Sequence, residues 1–121
     1  MEILLQGTAS CLQNPGVESE QLITPAANPG THVTITRVHV SPGVCQPRHC
    51  HAGSEQIWVA LSGQGVLLLS GEEERPFSPG DTARFAPGDI HGLRCTGKED
   101  FVYLSVTAPP LDFSAAYRKK K

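Results

Sequence analysis

Two histidines separated by one residue, His49 and His51, give the sequence its first metal-binding chemistry. Alternate residues of a β-strand point to the same face, so both imidazoles can reach one ion without distorting the backbone. A third histidine, His91, follows the Pro87-Gly88 turn at the start of a later strand. Imidazole binds iron, nickel, manganese, zinc and copper, and a fourth, oxygen ligand would complete a site with open positions. The spacing therefore predicts one divalent transition metal.

In the segments that must position these residues, the apolar residues recur with the two-residue period of β-strands. Short stretches rich in β-branched and aliphatic residues alternate with turns that contain Pro-Gly or Gly-x-Gly. Such frequent punctuation predicts an all-β sandwich or barrel. The predicted strands are 21–24, 32–40, 56–61, 66–70, 82–85 and 101–106, and only residues 112–117 have a helical pattern.

The chain of 121 residues is long enough for one domain with a modest core. We expect residues 1–30 to form a peripheral strand segment that lies on a neighbouring subunit. Residues 31–108 would form the barrel and residues 109–121 a tail. The basic run at the end of the tail, residues 118–121, predicts a solvated chain end.

Composition and charge argue against several classes of protein. The formal net charge is −2, which indicates no basic surface for nucleic acid. No stretch approaches the roughly 20 apolar residues of a membrane-spanning helix, and the N-terminus does not resemble a signal peptide. The four cysteines lack the spacing of a disulfide framework. These features predict a cytoplasmic protein with reduced thiols, whose partner is a small molecule and neither nucleic acid nor a membrane.

Two stretches of the sequence resemble the signature motifs of the cupin superfamily. The first motif runs glycine, five residues, His-x-His, three or four residues, glutamate, six residues and glycine. The second runs glycine, five residues, Pro-x-Gly, two residues, histidine, three residues and asparagine. In this sequence Ala86 stands at the proline position and Cys95 at the asparagine position. The matching positions here are Gly43, His49, His51, Gly63, Gly80, Gly88 and His91. The resemblance covers about residues 33–106 and implies a small single-domain, type-2 or RmlC-like cupin, which is a double-stranded β-helix or jelly-roll β-barrel.

The fourth ligand position can be counted in two ways. Six residues before Gly63 is Gln56, whereas three residues after His51 lead to Glu55. An inward Gln56 shares its strand face with Trp58, and cupins commonly carry an aromatic residue two positions after the ligand. Some cupins also use glutamine as a ligand, so the resemblance favours Gln56, with Glu55 as the alternative. A neutral amide would leave the metal its full double charge, which favours polarising a carboxylate, enol or carbonyl group.

The resemblance implies two classes of function. One is a metal-dependent enzyme acting on a small organic acid, sugar-derived or carbonyl substrate, either a lyase or isomerase for unsaturated uronates or a dioxygenase. The other is a non-catalytic cupin that binds a sugar or acid. Arg37 and His39 share one strand face, and they are candidate catalytic groups at the pocket mouth if that face is inward. Outer-surface positions are the alternative for both. Trp58 and Phe85 are predicted to form pocket walls.

Small cupins are commonly dimers, so the resemblance also implies a homodimer. The candidate contacts are the N-terminal residues 2–5 and the strand residues Ile57, Val59 and Leu61.

Overall fold

The computed structural model describes residues 1–118 of the chain. Within these residues, ten β-strands are followed by one short α-helix, and a 3₁₀ helix spans Ser70–Glu72. The elements are β1 (Ser10–Asn14), β2 (Val17–Ile23), β3 (Thr34–Val40), β4 (Cys45–His49), β5 (Glu55–Ser62), β6 (Gly65–Leu69), β7 (Glu74–Phe77), β8 (Thr82–Phe85), β9 (His91–Cys95), β10 (Phe101–Ala108) and α1 (Ser114–Arg118). In this part of the chain, no helix has the length and hydropathy needed to cross a bilayer.

The strands form two antiparallel sheets that enclose the core. The larger sheet has the order β1-β2-β3-β10-β5-β8, and the smaller has the order β4-β9-β6-β7. Inward positions alternate with outward ones, most regularly along β3 and β10. The core residues are Val17, Val38, Val40, Trp58, Ala60, Leu67, Phe77, Phe85, Leu93, Cys95, Phe101 and Tyr103. The fold is therefore the all-β jelly roll that the motifs predicted.

Two of the strands absent from the predicted pattern lie at sheet edges. β4 and β7 are the edges of the smaller sheet, and each contains a proline, Pro47 and Pro76. Proline cannot donate to a ladder, so within sheets it is confined to such positions. Most residues of both strands are exposed, so no alternation of apolar and polar residues marks them. β1 was also absent from the strands predicted with bounds, whereas a strand at His49 and a strand beginning at His91 were predicted without bounds.

The N-terminal segment differs from its expected arrangement. It forms a hairpin of β1 and β2, and β2 pairs with β3 of the same chain, with Val17 opposite Val40. Val17 and Ser19 are buried. The segment contributes two strands to the chain's own larger sheet, where the sequence predicted a single peripheral strand.

Glycines at two motif positions lie in turns beside the strands that carry Gln56 and His91. Gly63, between β5 and β6, has a φ of +90°, and an added Cβ would collide with the carbonyl oxygen of Asp100. Gly88 has a φ of +88°, which favours glycine. Its N–H donates to the carbonyl oxygen of His51 at 2.9 Å. This bond fixes the turn before His91 to the loop that carries His51.

The C-terminal segment returns across the barrel. The N–H of Ser114 donates to Oδ1 of Asp112 at 2.9 Å, and α1 begins at that serine, two residues later than the sequence predicted. α1 contacts β1. Residues 119–121 of the predicted basic tail lie outside the described residues.

Candidate metal centre

The three histidines meet at one end of the smaller sheet. His49 ends β4 and lies opposite His91, the first residue of β9, while His51 follows two residues after β4. The centroid of the His49 ring is 4.4 Å from that of His91 and 5.1 Å from that of His51. One potential ligand nitrogen from each ring lies within 4.8 Å of the other two.

Backbone carbonyls determine which nitrogen each of two rings offers. Nδ1 of His49 lies 2.9 Å from the carbonyl oxygen of Pro47, and Nδ1 of His91 lies 2.9 Å from that of Asp89. A carbonyl oxygen only accepts, so each Nδ1 carries a proton and donates it. In the neutral ring, Nε2 then has a free lone pair. Metal-binding histidines are commonly oriented by a hydrogen bond of this kind.

Gln56 completes the cluster from the larger sheet. Its side chain is buried, and Nε2 donates to Oγ1 of Thr107 at 2.9 Å. This bond directs Oε1 toward His91, whose Nε2 is 2.9 Å away. Because Nδ1 of the neutral His91 ring already holds the proton, the Nε2 lone pair faces an oxygen lone pair. A cation coordinated by both atoms would satisfy both lone pairs.

Glu55, the alternative fourth ligand, lies on the outer face of β5. Its Oε1 accepts a hydrogen bond from Nε of Arg84 at 2.8 Å. Burial alternates along β5, so Gln56, Trp58 and Ala60 face inward while Glu55 does not. Of the two candidates, Gln56 is the one beside the histidines.

Burial favours the neutral form of two of the three rings, His51 and His91. It lowers the pKa of His91 to about 4 and lowers the pKa of His51, and the neighbouring His49 acts in the same direction on both. Nε2 of His51 is buried and has no hydrogen-bond partner among residues 1–118. Neutral imidazoles with unused lone pairs are the form that binds a metal. Three nitrogens and one amide oxygen therefore fit a divalent transition metal.

The cluster opens into a cavity of about 480 Å³ between the sheets. His49, His51, Gln56 and Trp58 line it. Phe85 was predicted to be a second wall, but it lies behind His91 and stacks on that ring, with centroids 4.3 Å apart and planes inclined by 11°. It supports His91 and is not a cavity-lining residue.

Arg37 and His39, the candidate catalytic groups, do not reach this cavity. The cavity-lining residues of β3 are Thr36 and Val38, and alternation puts Arg37 and His39 on the opposite face. There, Nε of Arg37 and Nε2 of His39 contact Oε2 of Glu20 at 2.8 and 2.6 Å. The structure therefore corrects the catalytic assignment, because both side chains are committed to a carboxylate on the outside of the sheet.

Several cavity residues were absent from the sequence prediction. The hydroxyl of Tyr103 donates to Oε1 of Gln46 at 2.7 Å, and Phe113 contacts the edge of His51 with centroids 5.8 Å apart. Asn14 and Tyr117 line the same cavity from the two ends of the chain. The alternation of β10 could have identified Tyr103. No local pattern marks the other residues, because the chain termini reach the cavity only through tertiary packing.

Comparison with known families identifies the class of protein. Residues 36–107 match the family described as the Cupin domain, so the chain belongs to the cupin family. This range contains all three histidines and Gln56. No curated protein sequence matches the chain significantly.

Solved structures of other proteins share the fold. KdgF from a Halomonas species is 19% identical, with a TM-score of 0.77, covering 89% of this chain and 94% of that protein. A predicted oxalate decarboxylase from Thermotoga maritima is 22% identical, with a TM-score of 0.79 and coverages of 89% and 99%. A protein from Thermus thermophilus is 27% identical, with a TM-score of 0.72 and coverages of 92% and 100%.

Proposed function

We propose that this cupin is a metal-dependent enzyme acting on a small organic acid, sugar-derived or carbonyl substrate. His49, His51, His91 and Gln56 would hold one divalent iron, nickel, manganese, zinc or copper ion. The observation that carries the proposal is that one potential ligand atom from each of His49, His51 and His91 lies within 4.8 Å of the other two, beside Gln56 and a ligand-sized cavity. Similarity in fold to a predicted oxalate decarboxylase supports an organic acid as one class of substrate.

The donor set favours polarising chemistry. Three neutral imidazoles and a neutral amide leave a bound divalent ion its full charge, so it would supply Lewis-acid polarisation of a substrate oxygen. The chain's own residues would orient the substrate and keep water out, with Trp58 and Val38 as apolar walls. A lyase or isomerase for unsaturated uronates fits this description, and a dioxygenase would use the same apolar walls.

Proton transfer in such a reaction would fall to the inward tyrosines, since Arg37 and His39 lie outside. Burial raises the pKa of Tyr103 and of Tyr117, so both phenols stay protonated. In a proton transfer they could act as proton donors and not as bases. The Tyr103 hydroxyl is already engaged with Gln46. This observation favours a second candidate function, a non-catalytic cupin whose metal holds a sugar or acid without turnover.

Metal content measured by elemental mass spectrometry tests the site. We expect about one equivalent of a transition metal in untagged wild-type protein and in Glu55→Ala, and its loss in Gln56→Ala. Glu55→Ala is the matched control because it removes the adjacent side chain from the other face of β5. Absence of metal from the wild type after reconstitution would contradict the proposal.

Turnover separates the enzyme from the binding module. The metal-loaded wild type would be screened with unsaturated uronates and with oxygen-dependent substrates, following both ligand binding and product formation. Saturable binding without product across the panel would favour the non-catalytic function. Product formation that disappears in Gln56→Ala would support the enzyme.

We also propose that the protein is a homodimer in the cytoplasm. An aliphatic strip of Ile57 and Val59 on β5 with Leu104 and Val106 on β10 lies half-buried on the outer face of the larger sheet. Leu61 at its end is 44% exposed, which supports a partner surface there. All four cysteines are free thiols. Free thiols are the usual state of cysteine in a reducing compartment. A 13.0 kDa species in gel filtration at low micromolar concentration would contradict the dimer.

A further inference from the structure

Gln46 is hydrogen-bonded across the interior to the opposite sheet. It lies on β4 of the smaller sheet, where its half-buried side chain lines the cavity. Its Oε1 accepts a hydrogen bond at 2.7 Å from the hydroxyl of Tyr103, which is buried on β10 of the larger sheet. Of the two polar atoms of an amide, only the oxygen can accept the phenol's proton. The bond therefore fixes the orientation of the amide, with Oε1 on Tyr103 and the NH₂ group at the free end.

The NH₂ group of Gln46 is available to a molecule in the cavity. Its Nε2 makes no hydrogen bond with the described part of the chain. The polar atoms that are sealed from solvent without a partner are Oδ1 of Asn14, Nε2 of His51 and Nε1 of Trp58, so Nε2 of Gln46 is not one of them. It is therefore accessible, and the space that its side chain lines is the cavity.

A β-bulge places Gln46 and His49 on the same face of β4. Their partners on β9, Leu93 and His91, are two residues apart, whereas Gln46 and His49 are three apart. The extra residue lets both side chains face inward, which an odd spacing on a regular strand would not allow. Gly92 accommodates the bulged backbone, because a Cβ there would lie 2.7 Å from the carbonyl oxygen of Gln46. The fold therefore brings an amide donor and a histidine of the metal cluster into one cavity.

β10 holds the amides of Gln46 and Gln56 in opposite orientations. Oγ1 of Thr107 accepts from Nε2 of Gln56 at 2.9 Å, which leaves the Gln56 oxygen for the histidine cluster. The hydroxyl of Tyr103 donates to the oxygen of Gln46, which leaves the N–H groups. Gln56 thus offers a lone pair, which suits a cation, and Gln46 offers protons, which suit an oxygen atom of a ligand.

The separation of Gln46 from the histidines limits the size of the ligand. The two residues of β9 that lie opposite Gln46 and His49 cover about 7 Å of strand. Side chains stand roughly perpendicular to a sheet, so the two inward groups are separated by a similar distance. A molecule with oxygen atoms at opposite ends of a six-membered ring can reach both a metal at the histidines and the amide of Gln46.

We propose that Gln46 is a specificity-determining residue whose N–H groups bind an oxygen atom at the end of the ligand remote from the metal. Tyr103 is the positioning residue that holds the amide in this orientation. The ligand class is a hydroxylated organic acid the size of a monosaccharide. One of its oxygen groups faces the metal, and a hydroxyl or carbonyl oxygen faces Gln46. The statement of which end faces the metal rests on the proposed function, whereas the contact with Gln46 does not.

Two acids of similar size test this contact in calorimetric titrations of zinc-loaded protein. D-galacturonate has a carboxylate and ring hydroxyls, whereas cyclohexanecarboxylate has the carboxylate alone. Gln46→Leu removes the amide and keeps a side chain of similar size. We expect the Kd for galacturonate to rise about fivefold to tenfold in this variant, because one hydrogen bond is lost, and the Kd for cyclohexanecarboxylate to stay unchanged. Gln64→Leu is the matched control, because Gln64 is exposed outside the cavity, and it should change neither Kd.

The variant Tyr103→Phe tests the positioning role. It removes only the hydroxyl that holds Oε1 of Gln46. We expect the Kd for galacturonate to rise about twofold to fivefold and the Kd for cyclohexanecarboxylate to remain that of the wild type. A purely structural role of Tyr103 would change both Kd values together, which would contradict the assignment.

Nuclear magnetic resonance observes the contact in the wild type. In ¹⁵N-labelled protein, the side-chain amide resonances of Gln46 are identified by their loss in Gln46→Leu. We expect galacturonate to shift them saturably and cyclohexanecarboxylate to shift them much less. Zinc alone is titrated first, so that its own effect on these resonances is known.

The outcomes separate this inference from the proposed function. Zinc loading with an unchanged Kd for galacturonate in Gln46→Leu, or with an equal rise for both acids, would overturn the inference and leave the metal site standing. Absence of galacturonate binding to the zinc-loaded wild type would also overturn it. Failure to bind zinc, together with a shift of the Gln46 amide by galacturonate in the metal-free protein, would support the contact and contradict the metal proposal.

Discussion

Two clusters that contain histidine lie on opposite faces of the larger sheet, and their hydrogen bonds differ. On the outer face, His39 and Arg37 both contact the carboxylate of Glu20, which satisfies the charges locally. Inside, Nε2 of His51 has no partner in the described chain, and Nε2 of His91 faces the Gln56 oxygen. The outer cluster is complete as it stands. The inner cluster has the donor atoms to hold a cation.

The difference shows how a histidine's role can be read from its neighbours. On the outer face, the carboxylate of Glu20 already occupies Nε2 of His39. A carbonyl that holds Nδ1–H, as Asp89 holds that of His91, instead frees Nε2. Four experiments test this contrast, in order of decreasing expected effect.

Removing a histidine should weaken metal binding when it comes from the inner cluster and leave it unchanged when it comes from the outer cluster. We expect His91→Ala to lower affinity for Zn²⁺ by more than the ~10–100-fold that loss of an outer partner costs, because a direct ligand is removed. His39→Ala should bind Zn²⁺ as the wild type does. Competition titration against a chromogenic chelator measures both affinities. Equal affinities in the two variants would refute the assignment.

The hydroxyl of Thr107 should raise the affinity for Zn²⁺ because it orients the side chain of Gln56. Thr107→Val keeps the side-chain shape but removes the oxygen that accepts from Nε2 of Gln56. We expect affinity for Zn²⁺ to fall by about 10-fold or more, with the stoichiometry unchanged. Thr82→Val on the exposed edge strand β8 is the control, with no expected change. An unaltered affinity in Thr107→Val would mean that Gln56 needs no support.

Acid should destabilise the metal-free protein first through the inner cluster. The pKa of His91 is lowered to about 4 from an ordinary 6.5 by burial, so the folded state favours the neutral ring. Below pH 6.5 the unfolded chain takes up a proton at His91 and the folded chain does not. The free energy of unfolding therefore keeps its full His91 contribution above pH 6.5 and loses it as the pH falls toward 4. Its upper limit is about 3 kcal/mol. Denaturant unfolding of chelator-treated protein between pH 7 and pH 4 measures it.

The variant His91→Gln identifies the source of that acid sensitivity. It carries no titrating ring, so the decline in the free energy of unfolding between pH 6.5 and 4 should become shallower than in the wild type. His39→Gln is the comparison from the outer cluster. A decline that is unchanged in His91→Gln would assign the effect to other groups.

The outer cluster should have a smaller effect on the free energy of unfolding, and this effect should appear at lower pH. Hydrogen bonds from Arg37 and His39 lower the pKa of Glu20 to about 2 from 4.5. The carboxylate therefore stabilises the fold above pH 4.5, and the contribution is lost as the pH falls toward 2. Because the Arg37 side chain is 34% exposed, solvent screening limits it to about 1 kcal/mol.

Glu20→Gln isolates this contribution. Its free energy of unfolding should be lower than that of the wild type at pH 7, and the difference should vanish near pH 2. Zinc affinity should stay the same, which distinguishes this cluster from the inner one. A loss of zinc binding in Glu20→Gln would show that the two clusters are coupled through β3.

Much of the fold and of the inner cluster was predictable, because local rules govern both. The alternation along β3, β5 and β10 and the Pro-Gly turns indicated a sandwich or barrel, and the resemblance of the motifs implied a jelly roll. The spacing from Gly63 identified Gln56 as the favoured fourth residue, and its inward position on β5 agrees. The edge strands β4 and β7 were not predictable from periodicity, since exposed edges have no buried face to mark.

The amino-acid sequence by itself determined which residues share a strand face, and so which side chains had to lie together. It could not determine which face looks into the barrel, and this is why Arg37 and His39 remained candidates until the sheets were seen. Only the tertiary structure decided that they meet Glu20 and that Asn14 and Tyr117 reach the cavity. The physical reason is that alternation is a property of one strand, whereas inside and outside depend on how two sheets pack.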